Sequence, residues 1–204
     1  GELHEHVDVK GIYVAEVTFD SAGPWRFTAD VALPDGTTTS VQDAFQVLRE
    51  SQTPAVGSPA PRSDNPTLSD VADISKIDSS DPPRVLMHTM SIADAIATGK
   101  PVVVAFATPA FCQSRVCGPA MDIMDELYDK YKDQAIFVHV EPYELDVLRQ
   151  ESRFELTEAT RQRNLPSEPW IFVVDRKGLV AAKFEGIAAL EEIEGALQPV
   201  LAGG

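Results

Sequence analysis

Positive charge is scarce in this chain: 17 Lys and Arg stand against 32 Asp and Glu in 204 residues, a net charge of -15. Such a balance repels phosphate backbones and anionic headgroups, so no nucleic-acid partner is expected. The acidic residues fall in short groups such as Asp122, Glu126 and Asp129, the pattern of a solvated surface rather than of a binding tail. Long apolar runs are missing too. No stretch reaches about 18 apolar residues, so no membrane-spanning helix is expected, and the start lacks the basic-then-apolar pattern of a leader. Because Gly1 stands directly before a strand-like segment, a leader or lipid anchor is expected to have been removed upstream. Cysteine is confined to Cys112 and Cys117, which excludes a scaffold stapled by many disulfides.

What remains is ordinary globular material. Hydrophobic residues make up 44% and charged residues 24%, enough for one full domain and a smaller module. Three segments alternate apolar and polar residues, Gly11 to Phe19, Trp25 to Leu33 and Thr38 to Leu48, and they are predicted to be antiparallel strands. Asp35-Gly36 suits the hairpin between the last two, since glycine tolerates the positive φ of a tight turn. The G-x-Y-x-A-x-V-x-F pattern followed by a Gly-Pro-Trp strand resembles the later half of small immunoglobulin-like β domains of bacterial cell-surface proteins. Residues 1–50 are therefore assigned to a partial immunoglobulin-like β module.

From Ser51 to Asp81 the chain turns to Pro, Ser, Asp, Thr and Ala, and residues 51–82 are predicted to be an extended, weakly packed linker. Domain 83–204 follows, with a strand at Arg84 to His88, a helix at Ser91 to Thr98 and the apolar run Pro101 to Ala107, which reads as a strand buried on both faces. A helix from about Pro119 to Tyr131 and a strand Ala135 to Glu141 complete a βαβ unit. A polar helical stretch, Leu145 to Arg163, leads to strands Trp170 to Asp175 and Leu179 to Phe184 and a terminal helix Ala188 to Leu201.

The segment Phe106 to Pro119, FATPAFCQSRVCGP, resembles the F-x-A-x-W-C-x-x-C stretch of thioredoxin-like proteins, with Phe111 in place of the usual tryptophan. Val56-Gly57-Ser58-Pro59-Ala60-Pro61 is similar to the V-G-x-x-A-P opening of the TlpA-like branch, and Pro169 with Ile171 to Asp175, Lys177-Gly178 and Gly186 is similar to its tail. The resemblance implies an α/β thioredoxin-like fold, a central mixed sheet flanked by helices, behind the small all-β antiparallel module. It also implies an extracytoplasmic thiol-disulfide oxidoreductase of the bacterial cell envelope acting on protein thiols or disulfides, with a redox-active disulfide and no other cofactor. Glu168-Pro169 stands where that family has its cis-proline. Cys112 would attack, Cys117 would resolve, and Pro169 with Glu168 and Trp170 would line the substrate chain.

The cysteines depart from the family in being four residues apart rather than two. On one regular helix their Cα atoms would lie beyond the roughly 7 Å that a disulfide spans, so a bridge requires a loop, and Pro119 at a helix start leaves Thr108 to Gly118 for it. Physical chemistry alone points to Cys117 as the thiolate, because it is nearer the helix N-terminus, and Arg115 is a further source of positive charge. Glu168 opposes thiolate formation. Other readings stay open. His139 and Glu141 share a sheet face at the same edge, so Cys112, Cys117 and His139 resemble the copper-handling Sco branch, a copper-binding chaperone. His4 and His6 form an H-x-H pair. Pro109 with Ser114 to Cys117 comes near the peroxidatic motif of peroxiredoxins. A noncatalytic envelope binding module with a structural disulfide is the remaining alternative.

Overall fold

The structure, a computed structural model, describes residues 15–203. Two compact units are present, Tyr13–Gln52 and the chain from Thr53 onward. His4, His6 and positions 11–14 of the first predicted strand lie outside the described residues.

The smaller unit is one antiparallel hairpin, β1 (Gly23–Ala32) and β2 (Thr38–Val47), in register from Gly23 opposite Val47 to Ala32 opposite Thr38. Its turn is the expected one: Gly36 takes φ +84°, and Asp35 Oδ1 accepts the Thr37 amide at 2.9 Å. Residues 15–20 are not strand. Two strands cannot enclose a core, and Phe27 and Phe45 stay 45% and 39% exposed.

The larger unit carries a four-stranded sheet in the order β4-β3-β5-β6. Its central strand β3 (Val102–Phe106) runs parallel to β4 (Ile136–Val140) and antiparallel to β5 (Trp170–Val174), which pairs with β6 (Val180–Glu185) in a hairpin. Period-two alternation sorts the strand side chains between two cores. Val103, Ala105, Phe137, Ile171 and Val173 pack against Met121, Met124 and Leu127 of α2 (Cys117–Tyr131) and Ile193 and Leu197 of the last helix (Leu190–Leu201). On the other face Val104, Phe106, Val138 and Phe172 meet Ile92 and Ile96 of α1 (Ile92–Ala97) and Ala159 of a short helix, Glu158–Arg163. Between β4 and that short helix lies α3 (Leu145–Glu151), so the predicted polar helical stretch is two helices. A mixed sheet whose parallel pair is joined by a helix, followed by a β-hairpin and a closing helix, is the thioredoxin-like architecture. In chain order the helix Glu158–Arg163 is α4 and Leu190–Leu201 is α5.

Two local expectations differ from the structure. Val85–His88 is a 3-10 turn rather than a strand, following Pro82 and Pro83, which have no amide to give a ladder. Residues 53–81 are not a loose linker. Pro59 bridges Leu179, the Gly57 amide donates to Val180 O at 2.8 Å, and the Val180 amide donates back to Ser58 O at 2.9 Å, so this segment extends the β6 side of the sheet. Asn65 Oδ1 then receives the Ile92 amide at 2.8 Å. Arg163, also buried, donates to Ser63 Oγ at 2.6 Å and Pro61 O at 2.7 Å. Polar side chains hold this stretch, which is why its low apolar content misleads. At Gly178, φ is +79° and a Cβ would come within 3.0 Å of Ile96 Cγ2, so the turn closing the β5-β6 hairpin requires glycine.

Candidate functional site

Strand β3 ends at Phe106, and Ala107 to Val116 form the loop that delivers the chain to α2. The helix begins two residues earlier than Pro119 indicates, at Cys117 itself. Arg115 makes this possible by taking φ +65°, a left-handed conformation that turns the loop back on the helix start. Cys112 and Cys117 are thereby brought to 5.9 Å between Cα atoms and joined in a disulfide. The four-residue spacing is accommodated by a loop, as the reach argument requires.

The two sulfurs are not equivalent. Cys117 is fully buried in the core beneath α2, whereas Cys112 is half-buried with exposed Gln113, Ser114 and Arg115 beside it. The Cys117 amide, one of the unpaired N–H groups of the helix start, donates to Cys112 Sγ at 3.2 Å, and Ser114 Oγ lies 3.3 Å from the same sulfur. The helix N-terminus therefore serves the Cys112 sulfur rather than that of Cys117.

Glu168 closes the site from the other side. It is buried, its Oε1 accepts the Gln113 amide at 3.1 Å, its backbone carbonyl accepts Ser114 Oγ at 2.9 Å, and its Oε2 accepts the Tyr143 hydroxyl at 2.6 Å. One carboxylate oxygen and both sulfurs lie within 4.8 Å of one another. The Glu168–Pro169 peptide is cis, and Pro169 O accepts the Gly186 amide at 2.8 Å. Trp170 is placed elsewhere: buried, stacked on Phe172 at 5.8 Å, it belongs to the core on the opposite sheet face. Tyr143, which the sequence did not single out, is held between Phe154 at 5.0 Å and Glu168, and burial pushes its hydroxyl above the usual phenolic range.

His139 does not join the sulfurs. Its Nε2 lies 3.0 Å from Ala107 O and its Nδ1 lies 3.7 Å from Asp78 Oδ1, while Asp78 Oδ2 lies 3.2 Å from His88 Nε2. Burial pushes His139 down to about 4 and Glu141 up to about 7. Asp78 lies well below the usual carboxylate range: its burial opposes this, and the hydrogen bond with His88, the electrostatic interaction with His139 and bonds from Ser80 prevail. Asp78 and His88 carried no signal in sequence, since one fell in the supposed linker and the other in a supposed strand.

No protein-family model matches the chain, and no curated protein matches it. Among solved structures, the chain is similar to a protein assigned as thiol:disulfide interchange protein DsbE from Chlorobium tepidum, at 20% identity over 73% of this chain and 99% of that one, TM-score 0.48. It is also similar to a thio-disulfide isomerase from Thermus thermophilus, at 26% identity over 52% and 80%, TM-score 0.39. A thioredoxin-family thiol:disulfide interchange protein from Chlorobium tepidum TLS gives 16% identity over 72% and 98%, TM-score 0.45. The thioredoxin-like class stands on the sheet order, the flanking helices and the Cys112–Cys117 pair at the start of α2. Among the described residues no helix is long and apolar enough to cross a membrane.

Proposed function

We propose that the chain is an extracytoplasmic thiol-disulfide oxidoreductase that exchanges electrons with protein thiols or disulfides through Cys112 and Cys117. The observation that carries this reading is the asymmetry of the pair, an accessible Cys112 sulfur receiving an amide of the α2 N-terminus and a buried Cys117 behind it. In the reducing direction the Cys112 thiolate attacks a partner disulfide, one partner sulfur leaves as thiolate, and a mixed disulfide forms. Cys117 then loses its proton and attacks Cys112 Sγ, releasing the second partner sulfur, so two electrons pass to the partner and the intramolecular disulfide is restored. The cis Glu168–Pro169 peptide, at the start of β5 beside the pair, marks where the partner's extended chain would lie. A location outside the cytosol agrees with a cysteine pair held as a disulfide.

Copper(I) binding is less well supported, because His139 faces Asp78 and the third donor beside the two sulfurs is the hard carboxylate of Glu168. The test is the reduction potential of the pair, by thiol trapping across dithiothreitol buffers. A value between about -120 and -270 mV agrees with a working oxidoreductase, and one below about -300 mV would replace this reading with a binding module carrying a structural bridge.

A further inference from the structure

The buried polar cluster beneath the 78–88 segment is not used by the cysteine chemistry. Asp78, His88 and His139 are at most 2% exposed, and one ligating atom from each lies within 4.8 Å of the other two. Their protons do not satisfy this arrangement. Ala107 O is 3.0 Å from His139 Nε2, and a carbonyl accepts only from N–H, so in the neutral imidazole that nitrogen carries the proton and Nδ1 presents a bare lone pair. Nδ1 has no hydrogen-bond partner and is fully buried. It faces Asp78 Oδ1 at 3.7 Å, so two electron-rich atoms confront each other. A proton shared between His88 Nε2 and Asp78 Oδ2 settles the contact at the other carboxylate oxygen and leaves this one unsettled. Burying an unpartnered ring nitrogen against a carboxylate costs free energy, and a cation between them would remove the cost.

We propose that Asp78, His88 and His139 form a binding site for one divalent first-row transition ion, with zinc as the reference metal. Two imidazole nitrogens and one carboxylate oxygen are a borderline donor set that suits zinc. The Asp78 carboxylate presents Oδ2 to His88 at 3.2 Å and Oδ1 to His139 at 3.7 Å, and with one donor per residue inside 4.8 Å, small side-chain shifts bring the three to the about 3.3–3.6 Å spacing of tetrahedral ligands held at about 2.0–2.2 Å from a metal. The outer shell is in place as well. His139 is oriented by Ala107 O, and the carboxylate of Asp78 is fixed by the Ser80 amide at 2.8 Å and the Arg84 amide at 2.7 Å, each oxygen keeping a lone pair. His88 and His139 line a cavity of ≈ 260 Å³ that also borders Glu141, whose Oε2 has no hydrogen-bond partner. The cavity provides a route for the ion, and Glu141 provides an acceptor for a fourth, water ligand. Bound there, the metal clamps the 78–88 segment to β4, apart from the cysteine pair.

The test uses the full chain with the disulfide oxidised and with His4→Ala and His6→Ala in place, so that neither thiolates nor the N-terminal imidazoles take part. After chelator treatment the protein is titrated with zinc chloride, and bound metal is counted by elemental analysis after gel filtration. One equivalent is expected, with X-ray absorption showing two imidazoles and no sulfur, and His139→Gln and His88→Gln are each expected to lower affinity at least 10-fold. Absence of uptake, sulfur in the coordination shell, or unchanged affinity in both variants would overturn the proposal. Should a variant fail to fold, the absorption spectrum of the parent decides alone.

Discussion

The Tyr143 hydroxyl donates to Glu168 Oε2 at 2.6 Å while Glu168 Oε1 takes the Gln113 amide, so one buried carboxylate ties the segment after β4 to the cysteine loop. By sequence Glu168 is a candidate substrate contact that opposes thiolate formation. In the fold it is a strut beside the cysteine pair, and its charge opposes what the α2 N-terminus promotes. The Cys117 amide favours a thiolate on Cys112, and the nearby carboxylate disfavours one.

Glu168→Gln keeps an oxygen for the Gln113 amide and removes the charge. With that repulsion gone the Cys112 thiolate is stabilised, the reduced form gains, and the pair becomes more oxidising. Each unit by which the thiol pKa falls moves the potential about 30 mV toward less negative values. Redox equilibration against glutathione should show a shift of this size; an unchanged or more negative value would mean that the carboxylate does not act on the sulfur.

Tyr143→Phe removes a donor from a buried carboxylate and should cost about 1.5–3 kcal/mol in chemical denaturation. The wild-type hydroxyl also gives a pH signature. Its proton is held above the ordinary 10.0 in the folded state, mainly by burial and then by the bond to Glu168, while the unfolded chain releases it there. Its contribution is therefore whole below pH 10 and lost as the pH rises above that value. Stability curves of wild type and Tyr143→Phe should converge in that alkaline range, and parallel curves would count against the bond.

Arg163→Met preserves bulk over Phe106, where the guanidinium now stacks at 4.9 Å, but removes the donors to Ser63 Oγ, Pro61 O and Ala159 O. A loss of about 3 kcal/mol is expected, since buried carbonyls are left unpaired. Limited proteolysis should then cut within residues 53–66 before the rest of the domain opens. Cleavage no faster than in wild type would show that the β6 bridge alone holds this stretch.

How far the sequence was legible depends on the kind of interaction. The all-apolar Val102 to Phe106 announces a strand buried on both faces, and the Met121, Met124 and Leu127 spacing announces the helix that covers it. Placing Cys112 and Cys117 after that strand put them at the functional edge of the sheet. Segments fixed by single long-range polar contacts were not legible. Arg163 meets Ser63 across 100 positions and Tyr143 meets Glu168 across 25, and neither leaves a periodic trace. Trp170 looked like a contact because it follows Pro169, but strand alternation turns it to the other face.

The roles of the two cysteines separate in single variants. Cys117→Ser leaves the half-buried Cys112 with its helix amide and no resolving thiol, so a mixed disulfide with a substrate protein should persist and appear as a higher-mass band that dithiothreitol abolishes. Cys112→Ser leaves only Cys117, fully buried beneath α2, so no such band should form and alkylation of the folded protein should be slow. Mass spectrometry of the trapped species assigns the linked cysteine directly. A stable adduct through Cys117 in the Cys112→Ser protein would reverse the order of attack, and it would require the start of α2 to open far enough to expose that sulfur.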